Sequence, residues 1–138
     1  MDNICIQKIW EDKDFFEIRI EASNEYVNVN QTCYIMPQGI REIAEKMKLC
    51  AQRLEGDKYY EFGCKTGKAT PSFSIEVADI DDYGHVLLEL ELEINDNENR
   101  AHWCKLYVKT ELGCFERFAE ALAELPDLPI GEEIWLHL

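Results

Sequence analysis

Residues 85–94, "HVLLELELEI", alternate apolar and acidic side chains, and a second segment a few residues later, "AHWCKLYVKT", alternates again. A period of two belongs to a β-strand with one face in a core and the other turned away from it. Val86, Leu88, Leu90, Leu92 and Ile94 then point to the core, while Leu87, Glu89, Glu91 and Glu93 line the other face, about 7 Å apart along the strand. The partner strand sets Trp103, Lys105, Tyr107 and Lys109 on one face and Cys104, Leu106 and Val108 on the other. Two such strands side by side require an antiparallel sheet half-buried against something else.

The rest of the chain supplies the cover for that sheet. Phe16, Ile18, Ile20 and Ala22 alternate with Glu17, Arg19 and Glu21, and after the turn residues Ser23-Asn24-Glu25 the segment "YVNVNQTCYIM" resumes the pattern as the second arm of a hairpin. Residues 4–9 read as a further strand, as do "KYYEFGC" and "SFSIEVA", with "KTGKATP" a loop between them. After Pro37 and Gly39 the period becomes helical: Ile40, Ile43, Ala44, Met47, Cys50, Ala51 and Leu54 share a stripe, and Gly56 stands where a stop is expected. A second stripe, Phe115, Phe118, Ala119, Leu122 and Leu125, ends at Pro126 and Pro129. The expected order is β-β-β-α-β-β-β-β-α. It predicts one α+β domain over residues 1–138, an antiparallel, strongly twisted sheet of about six or seven strands with two amphipathic helices packed against one side.

Charge and cysteine usage narrow the function. The chain has 138 residues, 28 of them acidic and 14 basic, for a formal charge of −14. Such a surface repels phosphate backbones and anionic membranes and attracts basic proteins, so no nucleic acid and no membrane is expected as a partner. The six cysteines, Cys5, Cys33, Cys50, Cys64, Cys104 and Cys114, are scattered singly, without a CxxC pair or zinc-ligand spacing. They are expected as reduced, mostly buried small apolar residues in a cytoplasmic protein. No apolar run approaches the roughly 20 residues that span a bilayer.

The corner "DIDDYGH" admits a chemical reading and a structural one. Its aspartates and glycine match the start of a calcium loop, but Tyr83 takes the third ligand position and Leu90 that of the closing glutamate. Asp and Gly are equally what a tight turn needs for local hydrogen bonds and positive φ. The hairpin corner is therefore expected, with no metal and no cofactor. Asp79, Asp81, Asp82 and His85 remain the alternative, a small metal-dependent or acid–base enzyme. No nucleophile motif or phosphate loop supports catalysis, since "GCKTGKATPS" lacks P-loop spacing, and no enzyme is expected.

The acidic ladder has two readings as well. Cross-strand Glu–Lys pairs make it an ordinary solvated face, each pair contributing a few tenths of a kcal/mol. Trp103 and Tyr107 among the carboxylates make it a protein-binding patch. The partner-binding candidates are Glu89, Glu91, Glu93, Trp103 and Tyr107, with Asp79, Asp81 and Asp82 at the corner.

From Ile40 to Leu125 the chain resembles the WapI-type immunity proteins of bacterial polymorphic toxin systems. The resemblance lies in an amphipathic helix, "LEGDKYYEFG", "DDYGHVLLELELEI" and "KLYVKTELGCFERFAEALAELP", and its best-matched residues are Gly84, His85, Val86, Phe115, Phe118 and Leu122. The six cysteines and the acidic tail "GEEIWLHL" depart from that pattern. The resemblance implies an intracellular immunity protein that binds and neutralises a cognate toxin domain. A basic nuclease toxin would match the charge, because an acidic inhibitor is steered onto such a surface. The bland alternative is an accessory interaction domain.

Overall fold

The computed structural model describes residues 2–63, 71–94 and 99–137. The strands run β1 Asn3–Glu11, β2 Phe16–Ser23 and β3 Asn28–Ile35, then, after helix α1 Pro37–Arg53, β4 Tyr59–Phe62, β5 Ser72–Ile80, β6 His85–Ile94 and β7 His102–Glu111. Helix α2 Leu112–Glu124 passes into a 3₁₀ turn at Leu125–Asp127, and β8 Glu133–His137 ends the order. Of the expected loop at 65–71 all but Pro71 lies outside the described residues, as does Cys64.

The class is α+β, as expected, but the single sheet is not what forms. Two four-stranded antiparallel sheets stand in its place, ordered β3-β2-β1-β8 and β4-β5-β6-β7. The physical reason is α1, whose 17 residues extend about 25 Å and carry the chain from the edge of one sheet to the edge of the other. Strands β3 and β4 are thereby neighbours in sequence without pairing. The tail is the second correction. In "GEEIWLHL" the alternation of Ile134 and Leu136 is a strand signal, and β8 pairs with β1 so that these two stand opposite Ile6 and Ile4.

The apolar faces of both sheets and both helices meet in one continuous core. Ile4, Ile6, Ile18 and Ile20 come from the first sheet, Phe62, Phe73, Leu88 and Leu90 from the second, and Met47 and Phe118 from the helices. Helix α1 starts at Pro37, three residues before its buried stripe begins, and stops when Leu54 enters the left-handed region at φ 56. The stop therefore comes two residues before Gly56, and Leu54 N–H still donates to Cys50 O at 2.9 Å.

One core position holds a charge. Alternation along β1 puts Lys8 on the inner face after Ile4 and Ile6, opposite Ile18 and just before a register shift, and there it is 1% exposed. A buried ammonium is tolerable only when its donors are used. Lys8 Nζ donates to Pro126 O at 3.0 Å and Leu128 O at 2.8 Å, pairs with Glu11 at 2.7 Å and lies 4.2 Å from the centre of the Phe16 ring. It ties the 3₁₀ turn before β8 to the first strand.

Candidate functional site: the outer face of β6 and β7

Strands β6 and β7 pair antiparallel along their whole length, with the faces expected for each strand on the same side. Leu87 stands opposite Lys109, Glu89 opposite Tyr107, Glu91 opposite Lys105 and Glu93 opposite Trp103. All eight therefore share the outer face, because directly opposed residues in an antiparallel pair point the same way. Beneath them Val86, Leu88, Leu90 and Leu92 are buried, while Ile94 is only half-buried.

The carboxylates are partly committed within the sheet. Lys105 Nζ lies 3.2 Å from Glu89 Oε1 and 3.5 Å from Glu91 Oε1, and the Tyr107 hydroxyl donates to Glu89 Oε2 at 3.4 Å. The hydrogen bond to Glu89 is the main cause of an upward shift in the Lys105 pKa, followed by that carboxylate's charge. The cross-strand pairs expected for an ordinary face are thus present at Glu89 and Glu91. Trp103 is different: it stands 66% exposed on the outermost strand, and Tyr107 is 43% exposed. Both rings protrude from a surface whose charges hold their places.

The face continues onto the first sheet. Asn24, in the β2–β3 turn, donates its side-chain amide to Tyr107 O at 2.8 Å, and the Lys109 N–H donates to Asp2 Oδ2 at 2.8 Å. These two contacts occupy the outer edge of β7, where another strand could otherwise add. They also bring the turn residues Tyr26, 83% exposed, and Val27 toward the same end of the molecule as Tyr107. Neither residue was a sequence candidate. The only signal was an aromatic side chain in a turn, and its neighbour on β7 lies about eighty positions away in the chain.

The "DIDDYGH" corner folds as a turn. Gly84 takes φ +81, and Asp81 N–H and O pair with His85 O at 3.0 Å and Gly84 N at 3.2 Å. Asp81 Oδ1 accepts the N–H groups of Tyr83 at 2.8 Å and His85 at 2.9 Å, and Oδ2 lies 2.8 Å from His85 Nδ1. The His85 N–H, then the His85 ring, hold the Asp81 carboxyl below its usual value. Gly84 O receives the first N–H of α2, from Leu112, at 2.8 Å, so the corner also seats a helix.

Asp79, Asp81 and His85 line a hollow of about 420 Å³ with Leu87, Lys109 and Glu111. The corner therefore adjoins the Leu87 end of the outer face, roughly 20 Å from the Glu93 and Trp103 end at strand spacing. Asp82 is exposed at the turn and does not line the hollow. Among the described residues no group of three or more His, Cys, Asp or Glu is placed to hold a metal ion.

Five cysteines are described and all are free thiols: Cys5, Cys33 and Cys50 buried, Cys104 and Cys114 half-buried. Burial pushes the Cys33 thiol up to about 12; burial, then the carboxylate of Glu133 at 3.0 Å, does the same to Cys5. No helix among the described residues is long and apolar enough to cross a membrane. No family model matches the chain, and no curated protein or solved structure matches it either.

Proposed function

We propose that the protein is a binding module, and more finely an immunity protein that neutralises a cognate toxin domain by docking it on the outer face of β6 and β7. The observation that carries this reading is Trp103, a large ring left two-thirds exposed on an edge strand, with Tyr107 in the same row and carboxylates around it. Exposed aromatic anchors ringed by polar groups are the usual energetic centre of a protein interface. The formal charge of −14 supports a basic partner such as a nuclease domain, which it would draw in electrostatically. The resemblance to WapI-type immunity proteins supports the same reading, with inhibition taking place in the cytoplasm.

Co-expression tests it. The C-terminal domain of a large secreted protein encoded next to this chain should arrest growth alone, and this chain should restore growth and co-purify with that domain. Absence of rescue and of a complex would sink the immunity reading. A second reading rests on the 2.8 Å contact between His85 and Asp81 in an open hollow, the arrangement of an acid–base pair. Against it, Asp81 is already engaged by two backbone N–H groups as the turn's own acceptor.

A further inference from the structure

A second exposed cluster of rings lies elsewhere, around a cleft of about 1000 Å³ where β3, the start of α1 and β4 meet. Phe15, Tyr34, Met36 and Tyr59 line it, each between 43% and 54% exposed, and Trp10 leans edge-on against Tyr34 with ring centres 6.2 Å apart. None of the eight outer-face residues of β6 and β7 lines this cleft. Aromatic surface on this scale, gathered around a concavity, marks a binding site more than scattered exposed residues do.

The charges lining the cleft are mixed, with carboxylates in excess. Glu42, Asp57 and Glu61 bring carboxylates, and Lys46 and Lys58 bring amines. Lys46 is taken up by Asp57 at 3.4 Å, while the Tyr59 hydroxyl donates to Glu61 Oε1 at 2.7 Å and so turns ring and carboxylate toward one another. An anion is poorly served here even though the N-terminus of α1 opens onto the cleft. Pro37 has no N–H, and those of Gly39 and Ile40 already donate to Met36 O at 3.0 and 3.3 Å. Rings with a carboxylate beside them favour a flat, weakly hydrated cation with an apolar stem.

We propose that this cleft binds an arginine-bearing segment of a partner protein, its guanidinium stacked on the Tyr34 or Tyr59 ring within reach of Glu42 and Glu61, its apolar neighbours on Phe15 and Met36. The site is independent of the β6–β7 face and does not require the partner to be a toxin. The net charge of −14 attracts such a segment, and the aromatic cleft selects arginine within it.

The test uses the peptide acetyl-Gly-Leu-Arg-Leu-Gly-amide and its counterpart with norleucine for arginine, titrated into the intact ¹⁵N-labelled protein. The arginine peptide should give saturable shifts at the amides of residues 34–36, 38–39 and 59–63, with affinity about tenfold above the norleucine peptide. Tyr34→Ala and, separately, Glu42→Gln should each weaken binding at least about threefold; both positions are exposed, so the fold should survive. Equal affinity for the two peptides, unsaturable shifts spread over the acidic surface, or no shifts would each overturn the proposal.

Discussion

The β6–β7 face and the α1 cleft both expose aromatic rings among carboxylates, but they are built oppositely. On the face, rings and charges stand on two adjacent strands in strict register, and Lys105 bridges Glu89 and Glu91 within the sheet. Around the cleft, the rings come from the approach to β2, from β3 and from β4, with Met36 added just before α1, and they enclose a hollow rather than a plane. A flat face of this kind suits a large partner surface, whereas a concavity suits one projecting side chain. The first can be disrupted one residue at a time; the second exists only when distant segments are in place.

If both regions rest on one core, they should be lost together. Phe73 is fully buried and stacks on Phe62 at 4.5 Å, and Phe73→Ala should cost about 3–5 kcal/mol. In variants keeping only Trp10 or only Trp103, denaturant curves tracked by fluorescence should coincide, one tryptophan reporting the cleft and the other the face. Separate transitions would make the two regions independent units and undo the comparison.

Kinetics with a bound toxin domain should separate anchor from rim. Trp103→Ala should speed dissociation by about thirtyfold, the equivalent of about 2 kcal/mol, while changing stability by no more than about 0.5 kcal/mol. Changing Glu89, Glu91 and Glu93 together to lysine should instead slow association on the order of tenfold and flatten its salt dependence. Because Lys105 loses its two partners, this triple variant must first be shown to fold. Unaltered binding in both would move the interface off this face.

Thiol chemistry contrasts the regions without any partner. Cys33 and Cys50, buried on β3 and α1, the elements that border the cleft, should resist a thiol reagent at neutral pH, and half-buried Cys104 on β7 should react before them. Denatured protein should titrate six thiols without reductant. Fewer would reveal a disulfide. The corner beside the face should show a smaller, pH-limited effect. Since the folded pKa of Asp81 is lowered, its contribution is present above its unfolded value of about 3.9 and is lost as pH falls through the folded one. The difference in Tm between parent and Asp81→Ala should therefore narrow below about pH 4. EDTA should leave the parent's Tm unchanged; a drop reversed by calcium or magnesium would turn the corner into a metal site.

The two sides of the face were legible in the sequence because alternation specifies which side chains of a strand share a side, Glu89, Glu91 and Glu93 on β6 and Trp103, Tyr107 and Lys109 on β7. Which of them stand opposed was not, because seven residues separate the two strands in the chain. The corner was legible for the same local reason, its Asp and Gly serving one turn. The cleft was not: Phe15 stands at the start of an apparent strand, Tyr34 and Met36 flank Ile35, and Tyr59 reads as an ordinary strand residue, so nothing short-range brings them together. The division into two sheets was hidden likewise, because hydrophobic period reports that strands exist and not which edges pair. The tail was misread for a weaker reason. Its two acidic residues drew attention from the alternation of Ile134, Trp135 and Leu136.

The pairing of β1 with β8 has a consequence in time. Ribosomes add roughly 5–20 residues per second, so about 6–25 s separate the synthesis of the first strand from that of the last. Throughout that interval β1 presents an open edge, able to join a strand of another nascent chain. Lys8 meanwhile lacks the carbonyls of Pro126 and Leu128, so a strand added at that edge would bury its ammonium on the inner face without them. Lysine at an unprotected strand edge discourages illegitimate pairing. The residue that locks the finished sheet thus also guards the unfinished one, and Lys8→Met should aggregate during synthesis more readily than its folded-state stability alone would suggest.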